Sequence, residues 1–376
     1  MKKIAILNQD SAYMMIDLAN AFVEAGYEVT LITGRLLKRN TSLNEAVQLH
    51  RVVEYRKVNI FTQFVTSVSA FIQMVYFIWL NMKNTHLFIV SNPAFSPLIP
   101  IFVRNSYSLL FYDIYIETPG MFLPCRNKSI LSQLWVSLHK RSLKNAASIF
   151  TLTEGMKANL ENFVSNKLVS VVPIWTDTTF LKPIPKKENP FVRANNLENK
   201  FIVMYSGSIG LNNGLELLLE VAEKITNPTV QFLIVGEGVG KSALVKRAKE
   251  MMLQNLRFLK WQPTDILPLS LAAADIAVVT LSKLNQSKSI PSKFYNYLAV
   301  GVPILSLAPE ASDLSNLVSK YDVGRNFSNP NVDELIDFIE SMADDTNRKH
   351  YSERSLCAAK GFTKENAKLF IDNLNY

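Results

Sequence analysis

Phe201-Ile-Val-Met-Tyr205 is a short apolar run that ends in Ser206-Gly207-Ser208-Ile209-Gly210-Leu211-Asn212-Asn213-Gly214. An amphipathic stretch, Gly214–Ile225, and a second apolar run, Val230–Val235, follow. Uninterrupted apolar runs of this length read as strands buried on both faces. Strand, loop, helix and strand at short intervals begin a parallel sheet with helical crossovers. The same pattern opens the chain, with Lys3–Leu7 as strand, Met14–Ala25 as helix, and Glu28–Thr33 as the strand after a turn at Gly26-Tyr27. Two such starts predict two doubly wound α/β domains facing across a cleft rather than one long sheet. Phe180-Leu-Lys-Pro-Ile-Pro-Lys-Lys-Glu-Asn-Pro-Phe191, rich in proline and lysine, is expected to link them. The expected domains are residues 1–180 and 181–359.

Length and composition agree with this. At about 150 residues per domain, 376 residues make two or three domains. A chain that is 48% hydrophobic and 19% charged folds around a core and is not disordered. Two cysteines, Cys125 and Cys357, cannot build a disulfide framework, and the composition fits a reducing, cytosolic compartment. His50, His86, His139 and His350 have no zinc-site spacing, so a zinc enzyme is not expected. The net charge of +8 is concentrated: residues 51–150 hold ten Lys or Arg against three Asp or Glu. That stretch is also the most apolar. Cations beside an apolar surface point to an anionic membrane face more than to nucleic acid.

Val58–Met82 carries no charge and is long enough to span a bilayer. Asn59, Gln63, Thr66, Ser69 (or Ser67) and Gln73 nevertheless recur every three or four residues and draw one polar stripe on a helix. A core-packed or interfacial helix of a soluble domain is expected, because the strand-like His86–Val90 follows at once, and within that reading its apolar surplus leaves room for partial exposure to lipid. A transmembrane span and a membrane-inserting hairpin are the alternatives. The apolar run after Met1-Lys2-Lys3 is too short for a secretion signal and is expected to be a strand.

Ligands of doubly wound sheets sit at the carboxyl ends of the strands. Four stretches lie there. Ser206–Gly214 offers glycines for close backbone approach and a following helix N-terminus, without dinucleotide GxGxxG spacing. Gly236-Glu237-Gly238 permits a tight turn beneath a flat base. Ser292 is expected to cap a helix running to about Val300 and stopped by Gly301. Its first-turn Lys293 disfavours the helix by itself and would serve an anion, the alternative being a solvated surface lysine. Asp113 and Glu117 are the only acids between Lys57 and Arg126 and follow an apolar run. Asp113 could hold an acceptor hydroxyl or act as base, or it could form a buried structural pair with Arg126 or Lys128.

With these loops placed, the sequence resembles glycosyltransferases of the GT-B fold, family 4-like, in the bacterial polysaccharide group of N-acetyl-L-fucosamine-transferase-like proteins. The residues that carry this are Met204-Tyr-Ser-Gly-Ser-Ile-Gly210, Phe232-Leu-Ile-Val-Gly-Glu-Gly238, Ala272-Ala-Ala-Asp275 and above all Ile290-Pro-Ser-Lys-Phe-Tyr-Asn-Tyr-Leu-Ala-Val-Gly-Val-Pro303. Tyr112-Asp113, Ala147–Met156 and Val172–Asp177 look like the group as well. The resemblance implies two Rossmann-like domains, an acceptor-binding first and a nucleotide-sugar-binding second, with residues 360–376 crossing back to the first. It implies that Gly207, Ser208, Gly210, Ser292 and Lys293 hold the donor diphosphate. Gly236, Glu237, Gly238, Lys260, Trp261 and Gln262 would line the nucleotide. Asp113 and Lys293 would be catalytic, and Gln9, Asp10, Glu117 and Asn296 would lie near sugar and acceptor.

The activity implied is transfer of a sugar, with retained configuration and without metal or other cofactor. The donor would be a nucleotide-sugar of the UDP class, and the acceptor a glycan on a polyprenyl diphosphate, for capsule or O-antigen. The protein would sit in the cytoplasm against the inner face of the cell membrane. It departs from the usual family pattern. Ser208 and Asn213 stand where many members have arginine and lysine, Lys288 and Asn296 where many have glutamates, and Asn8–Ala12 lacks the usual glycines. A UDP-sugar epimerase of the same shape, or an inactive membrane-associated partner of a transferase, are the rival expectations.

Overall fold

The computed structural model describes residues 2–56, 59–116, 129–164, 167–282 and 290–375. It divides into two compact units, Met1–Trp175 with Lys364–Tyr376, and Thr176–Thr363. In the first unit, β1 is Lys3–Leu7, β2 Asp10–Ser11, α1 Tyr13–Glu24, β3 Glu28–Thr33, β4 Arg35–Leu36, β5 Gln48–Arg51, α2 Ile60–Asn81 and β6 His86–Val90. β7 is Tyr107–Phe111, α3 Ile130–Asn145, β8 Ser148–Thr151, α4 Glu154–Glu161 and β9 Val169–Val171. The second unit holds α5 Pro190–Ala194, β10 Phe201–Ser206, α6 Glu216–Lys224, β11 Val230–Val235, α7 Lys241–Glu250, β12 Leu256–Leu259, α8 Leu267–Leu271 and β13 Ile276–Thr280. Then come α9 Lys293–Ala299, β14 Ile304–Leu307, α10 Asp313–Tyr321, β15 Gly324–Phe327, α11 Val332–Ser341 and α12 Asp345–Ala359. The last helix, α13 Asn366–Asp372, returns to the first unit.

Among the described residues, the first unit is built on a seven-stranded sheet in the order β5-β3-β1-β6-β7-β8-β9. The second has six strands in the order β12-β11-β10-β13-β14-β15. All pairings in both sheets are parallel. Helices cover such sheets on both faces, so their strands are mostly apolar and wholly buried: β6, β7, β11 and β13 are buried at every residue. In each sheet the strand order reverses beside its first strand, at β1/β6 and β10/β13. The loops leaving the carboxyl ends there form the crevice that such sheets offer to ligands.

α13 is held by Phe370, whose ring lies 5.6 Å from Phe88 and 5.1 Å from Phe150. The unit's last segment before the crossing is anchored at Trp175, whose indole Nε1 donates to Asp17 Oδ2 at 2.8 Å. The Tyr13 hydroxyl donates to the Trp175 carbonyl, also at 2.8 Å. Asp17→Ala is expected to cost about 2–3 kcal/mol, since it leaves a buried indole N–H without its charged acceptor. A urea midpoint within error of the wild type would exclude this role.

Two sequence expectations change. The stretch Phe180–Phe191 is packed onto the second unit rather than acting as a free linker. Lys186 Nζ sits 2.6 Å from Asp275 Oδ2, and Phe191 is buried. The units change at Trp175/Thr176 and Thr363/Lys364, so the expected boundary at 180 lies within the second unit. Val58–Met82 does form one helix over Ile60–Asn81, closed at its start by an Asn59/Thr62 capping box.

Candidate active site

β10 delivers the chain into Gly207, and β11 delivers it into Gly236. The two loops lie against each other backbone to backbone. Gly207 N–H donates to Val235 O at 2.9 Å, Ile209 N–H to Glu237 O at 2.9 Å, and Gly240 N–H to Ile209 O at 3.0 Å. A Cβ on Gly236 would meet Gly207 O at 1.9 Å, and Gly236 has φ +148°. Glycine is required here by this approach and this backbone conformation together.

Inside the first loop the Tyr205 hydroxyl donates to Ser208 O at 2.6 Å and accepts from Asn213 Nδ2 at 2.7 Å. Asn213 Oδ1 accepts from Gly210 N–H at 3.1 Å. Asn213 thus ties the loop to its own strand, and burial pushes the Tyr205 phenol pKa up. Sequence reasoning passed over Tyr205. The available signal is an aromatic residue two places before the glycine of a strand-ending turn.

Lys293, the first residue of α9, reaches this loop from beyond β13. Its Nζ lies 3.6 Å from the Tyr205 ring centroid, and a Cβ on Gly207 would stand 2.5 Å from it. The residue as a whole keeps some solvent exposure, but its ammonium is desolvated, and burial lowers its pKa from the ordinary lysine value to about 7. Its contact with charge or π density among the described residues is the face of Tyr205. No carboxylate pairs with it there. Ser292 stands at the helix start as expected, but with αR backbone angles and no side-chain cap bond. Its helical ψ turns the hydroxyl away from the first-turn N–H groups that a cap in extended conformation would reach.

The expected nucleotide residues gather beside this loop. Gly236 N–H donates to Leu259 O at 3.1 Å, which brings the end of β12, and so Lys260, Trp261 and Gln262, next to Gly236–Gly238. Trp261 is 60% exposed, an aromatic face open to a planar ligand. Glu237 is engaged by Lys241 at 2.8 Å, and Lys241 also donates to Gly236 O at 2.9 Å. Asn296, one turn into α9, accepts from Thr176 Oγ1 at 2.7 Å through its Oδ1.

In the first unit the expected residues are less alike. Gln9 is fully buried, and its side chain donates to Thr66 O at 2.9 Å and Val53 O at 3.1 Å. It fastens the loop after β1 to α2, and its NH2 group is occupied by these two main-chain carbonyls. Asp10 is held by Arg35 through two bonds of 2.7 Å, a cation the sequence reading did not single out. Asp113 stands two residues beyond β7 and accepts from the Tyr115 hydroxyl at 3.1 Å. Glu117, Lys288, Arg126 and Lys128 lie outside the described residues, and with the last two lies the alternative pairing for Asp113. Among the described residues no group of three or more His, Cys, Asp or Glu could hold a metal ion.

Residues 186–355 match the family described as Glycosyl transferases group 1. That span holds the glycine loops, Trp261 and Lys293. Residues 1–87 match the OYE-like second alpha/beta domain. WcaI of Escherichia coli (strain K12), named as a glycosyl transferase of colanic acid biosynthesis, is 30% identical over 195 residues, 51% of this chain and 48% of that protein. WbjE of Pseudomonas aeruginosa, named as a glycosyltransferase, is 24% identical over 241 residues, 63% of this chain and 60% of that protein. The chain therefore aligns with about half to three fifths of these relatives' length. The crystal structure of Anabaena HepE in complex with UDP superposes with a TM-score of 0.72 at 15% identity, over 98% of both chains. Most of the second unit thus matches the Glycosyl transferases group 1 family model, and the chain as a whole has the GT-B fold of two Rossmann-like domains.

Proposed function

We propose that this chain is a glycosyltransferase of bacterial polysaccharide assembly. It takes a sugar from a nucleotide-diphosphate donor of the UDP class and passes it to a glycan on a lipid carrier. The observation that carries this is the desolvated, carboxylate-free ammonium of Lys293 against Gly207. An unpaired buried cation is costly, and a diphosphate placed over the glycine loop compensates it. The names of WcaI and WbjE, and the UDP bound to HepE, support the class of reaction and of donor.

In this reading Gly207, Ser208, Gly210 and Ser292 border the diphosphate. The leaving-group charge that develops as the sugar departs is met by Lys293, so the chain supplies that cation itself. Gly236, Gly238 and Trp261 receive the base. Asp113 in the first unit orients or deprotonates the acceptor hydroxyl. Retention of configuration, independence from metal and cofactor, and a place at the cytoplasmic face of the membrane belong to the same proposal.

The test is a thermal-shift series with UDP, GDP, ADP, CMP and dTDP. Ligand at a hundred times its Kd adds about 2.7 kcal/mol. A shift with UDP that Lys293→Ala abolishes is expected. A shift with another nucleotide changes the donor, and no shift with any turns the chain into a non-catalytic partner. An epimerase would convert donor without acceptor.

The lysine also sets a pH dependence. In the free protein its pKa is about 7, and a bound diphosphate favours the charged form and raises it. Affinity is therefore full below pH 7 and weakens as pH rises above it, by up to about tenfold per unit. Calorimetric titration with a UDP-sugar, whose diphosphate does not itself titrate there, should show proton uptake at pH 8. A Kd constant from pH 6 to 9 contradicts this.

A further inference from the structure

α2 exposes far more apolar surface than a helix of a soluble unit ordinarily does. Its polar stripe faces the protein: Gln73 Oε1 accepts from Val53 N–H at 2.7 Å, Gln63 Oε1 from the Tyr55 hydroxyl at 3.4 Å, and Thr66 O from Gln9 at 2.9 Å. Ala70, Met74 and Ile78 are buried, but a second apolar stripe faces out. Phe61 is 74% exposed, Ile72 60%, Tyr76 63% and Trp79 69%, and with Val65 they fall on one helical stripe. Only 28% of its most apolar stretch is buried.

The stripe does not end at α2. Phe64 packs edge-on against Phe95, and Phe95 against Trp135 of α3. α3 in turn exposes Ile130, Leu131 and Leu134. At the C-terminal end of α2 a cleft of about 720 Å³ opens between Trp79 and Phe102, with Lys83 and Arg104 in its wall. It lies where β6 and β7 begin, at the opposite edge of the sheet from the loops that follow the strands. No carboxylate bridges Lys83 or Arg104 among the described residues, and no acid occurs in the sequence between Glu54 and Asp113.

We propose that this face docks on a bilayer, and that the Lys83–Arg104 cleft receives the phosphate of an anionic phospholipid head group. The occupant follows from charge and geometry. A second copy of the chain has no acid between Glu54 and Asp113 to offer Lys83 and Arg104, whereas an anionic lipid surface neutralises both. A span across the membrane would tear Gln63, Thr66 and Gln73 from Tyr55, Gln9 and Val53, the partners that fix the helix to its unit, with Ala70, Met74 and Ile78 buried beneath. A helix of 22 residues, about 33 Å long, lying flat with aromatics outward and cations at its end suits a lipid surface. The inference rests on the membrane half of the proposed function and is independent of the transfer chemistry.

Sedimentation of the full chain with vesicles of phosphatidylcholine alone, and with phosphatidylglycerol added, tests it. Wild type is expected to bind the anionic vesicles at least about tenfold tighter than the neutral ones. Lys83→Gln with Arg104→Gln should remove most of that difference and leave the unfolding midpoint unchanged, and free inorganic phosphate at millimolar concentration should not displace the wild type. Ile72→Ser with Trp79→Ser should weaken binding to both vesicles. Absence of wild-type binding to either vesicle overturns the membrane reading as a whole. Anionic binding that survives loss of both cations, or that free phosphate displaces, overturns the head-group cleft alone. A dimer in solution that Ile72→Ser with Trp79→Ser dissolves gives the face to a second copy instead.

Discussion

Replacing Lys293 by methionine is expected to remove nucleotide binding and, in the same protein, to raise the thermal stability of the second unit. The two effects have one cause. Burial lowers the lysine pKa to about 7, so folding must either desolvate an ammonium or release its proton. Between the folded pKa and the ordinary lysine value the unfolded chain binds the proton and the native state does not, so native stability rises with pH across that window. The penalty is fully present below pH 7 and vanishes above the unfolded pKa. Methionine has similar length, no charge and a thioether that suits the Tyr205 face. At pH 6 the variant should gain a few kcal/mol, which is a rise in Tm of about 5 °C or more, and the gain should shrink toward pH 10. Scanning calorimetry at both pH values, with and without UDP, measures all of this. A variant less stable than wild type at pH 6 would show that Lys293 is held by internal contacts rather than poised for an anion. A variant that still binds UDP would remove the diphosphate from this loop.

The fold was largely legible because parallel strands buried on both faces are written as mainly apolar runs. β1, β3, β6 and β11 begin and end where their sequence runs do. Glycine punctuation marked the loops after β10 and β11 for the same kind of reason: a backbone that approaches another at Gly236 excludes a Cβ. What stayed hidden depends on partners distant in sequence. The polar stripe of α2 was visible, but not that it faces inward, because Val53 and Gln9 satisfy it from other elements. The prolines of Phe180–Phe191 read as a linker, since the bond from Lys186 to Asp275 spans 89 residues. Gln9 looked available to a substrate, and the main chain of α2 claims it. Ser292 has the right residue type for a cap and the wrong backbone angles for one. Lys293 could be singled out as a cation at a helix start, but its desolvation against Tyr205 follows from packing alone.

Gly236→Ala is expected to be among the most damaging single-methyl additions to the second unit, costing about 3 kcal/mol or more and nucleotide binding with it. Two separate penalties combine. The backbone at Gly236, with φ +148°, is one that L-residues rarely adopt, worth about 1–3 kcal/mol. The new Cβ would also lie 1.9 Å from Gly207 O, a main-chain atom that cannot rotate aside. Relief requires the two loops to separate by more than an ångström, which breaks the bonds from Gly207 to Val235 and from Ile209 to Glu237. Gly207 is the residue against which Lys293 rests, so the same displacement opens the diphosphate loop. Gly26→Ala is the control. Gly26 also has positive φ, +82°, but nothing lies within 4 Å of its Cβ position, so it should lose only about 1 kcal/mol. Urea unfolding of both variants separates conformational strain from collision. If the two lose equal stability, the contact between the loops is not what fixes them. If Gly236→Ala is strongly destabilised yet binds UDP as wild type does, the loop pair supports the fold without shaping the nucleotide site.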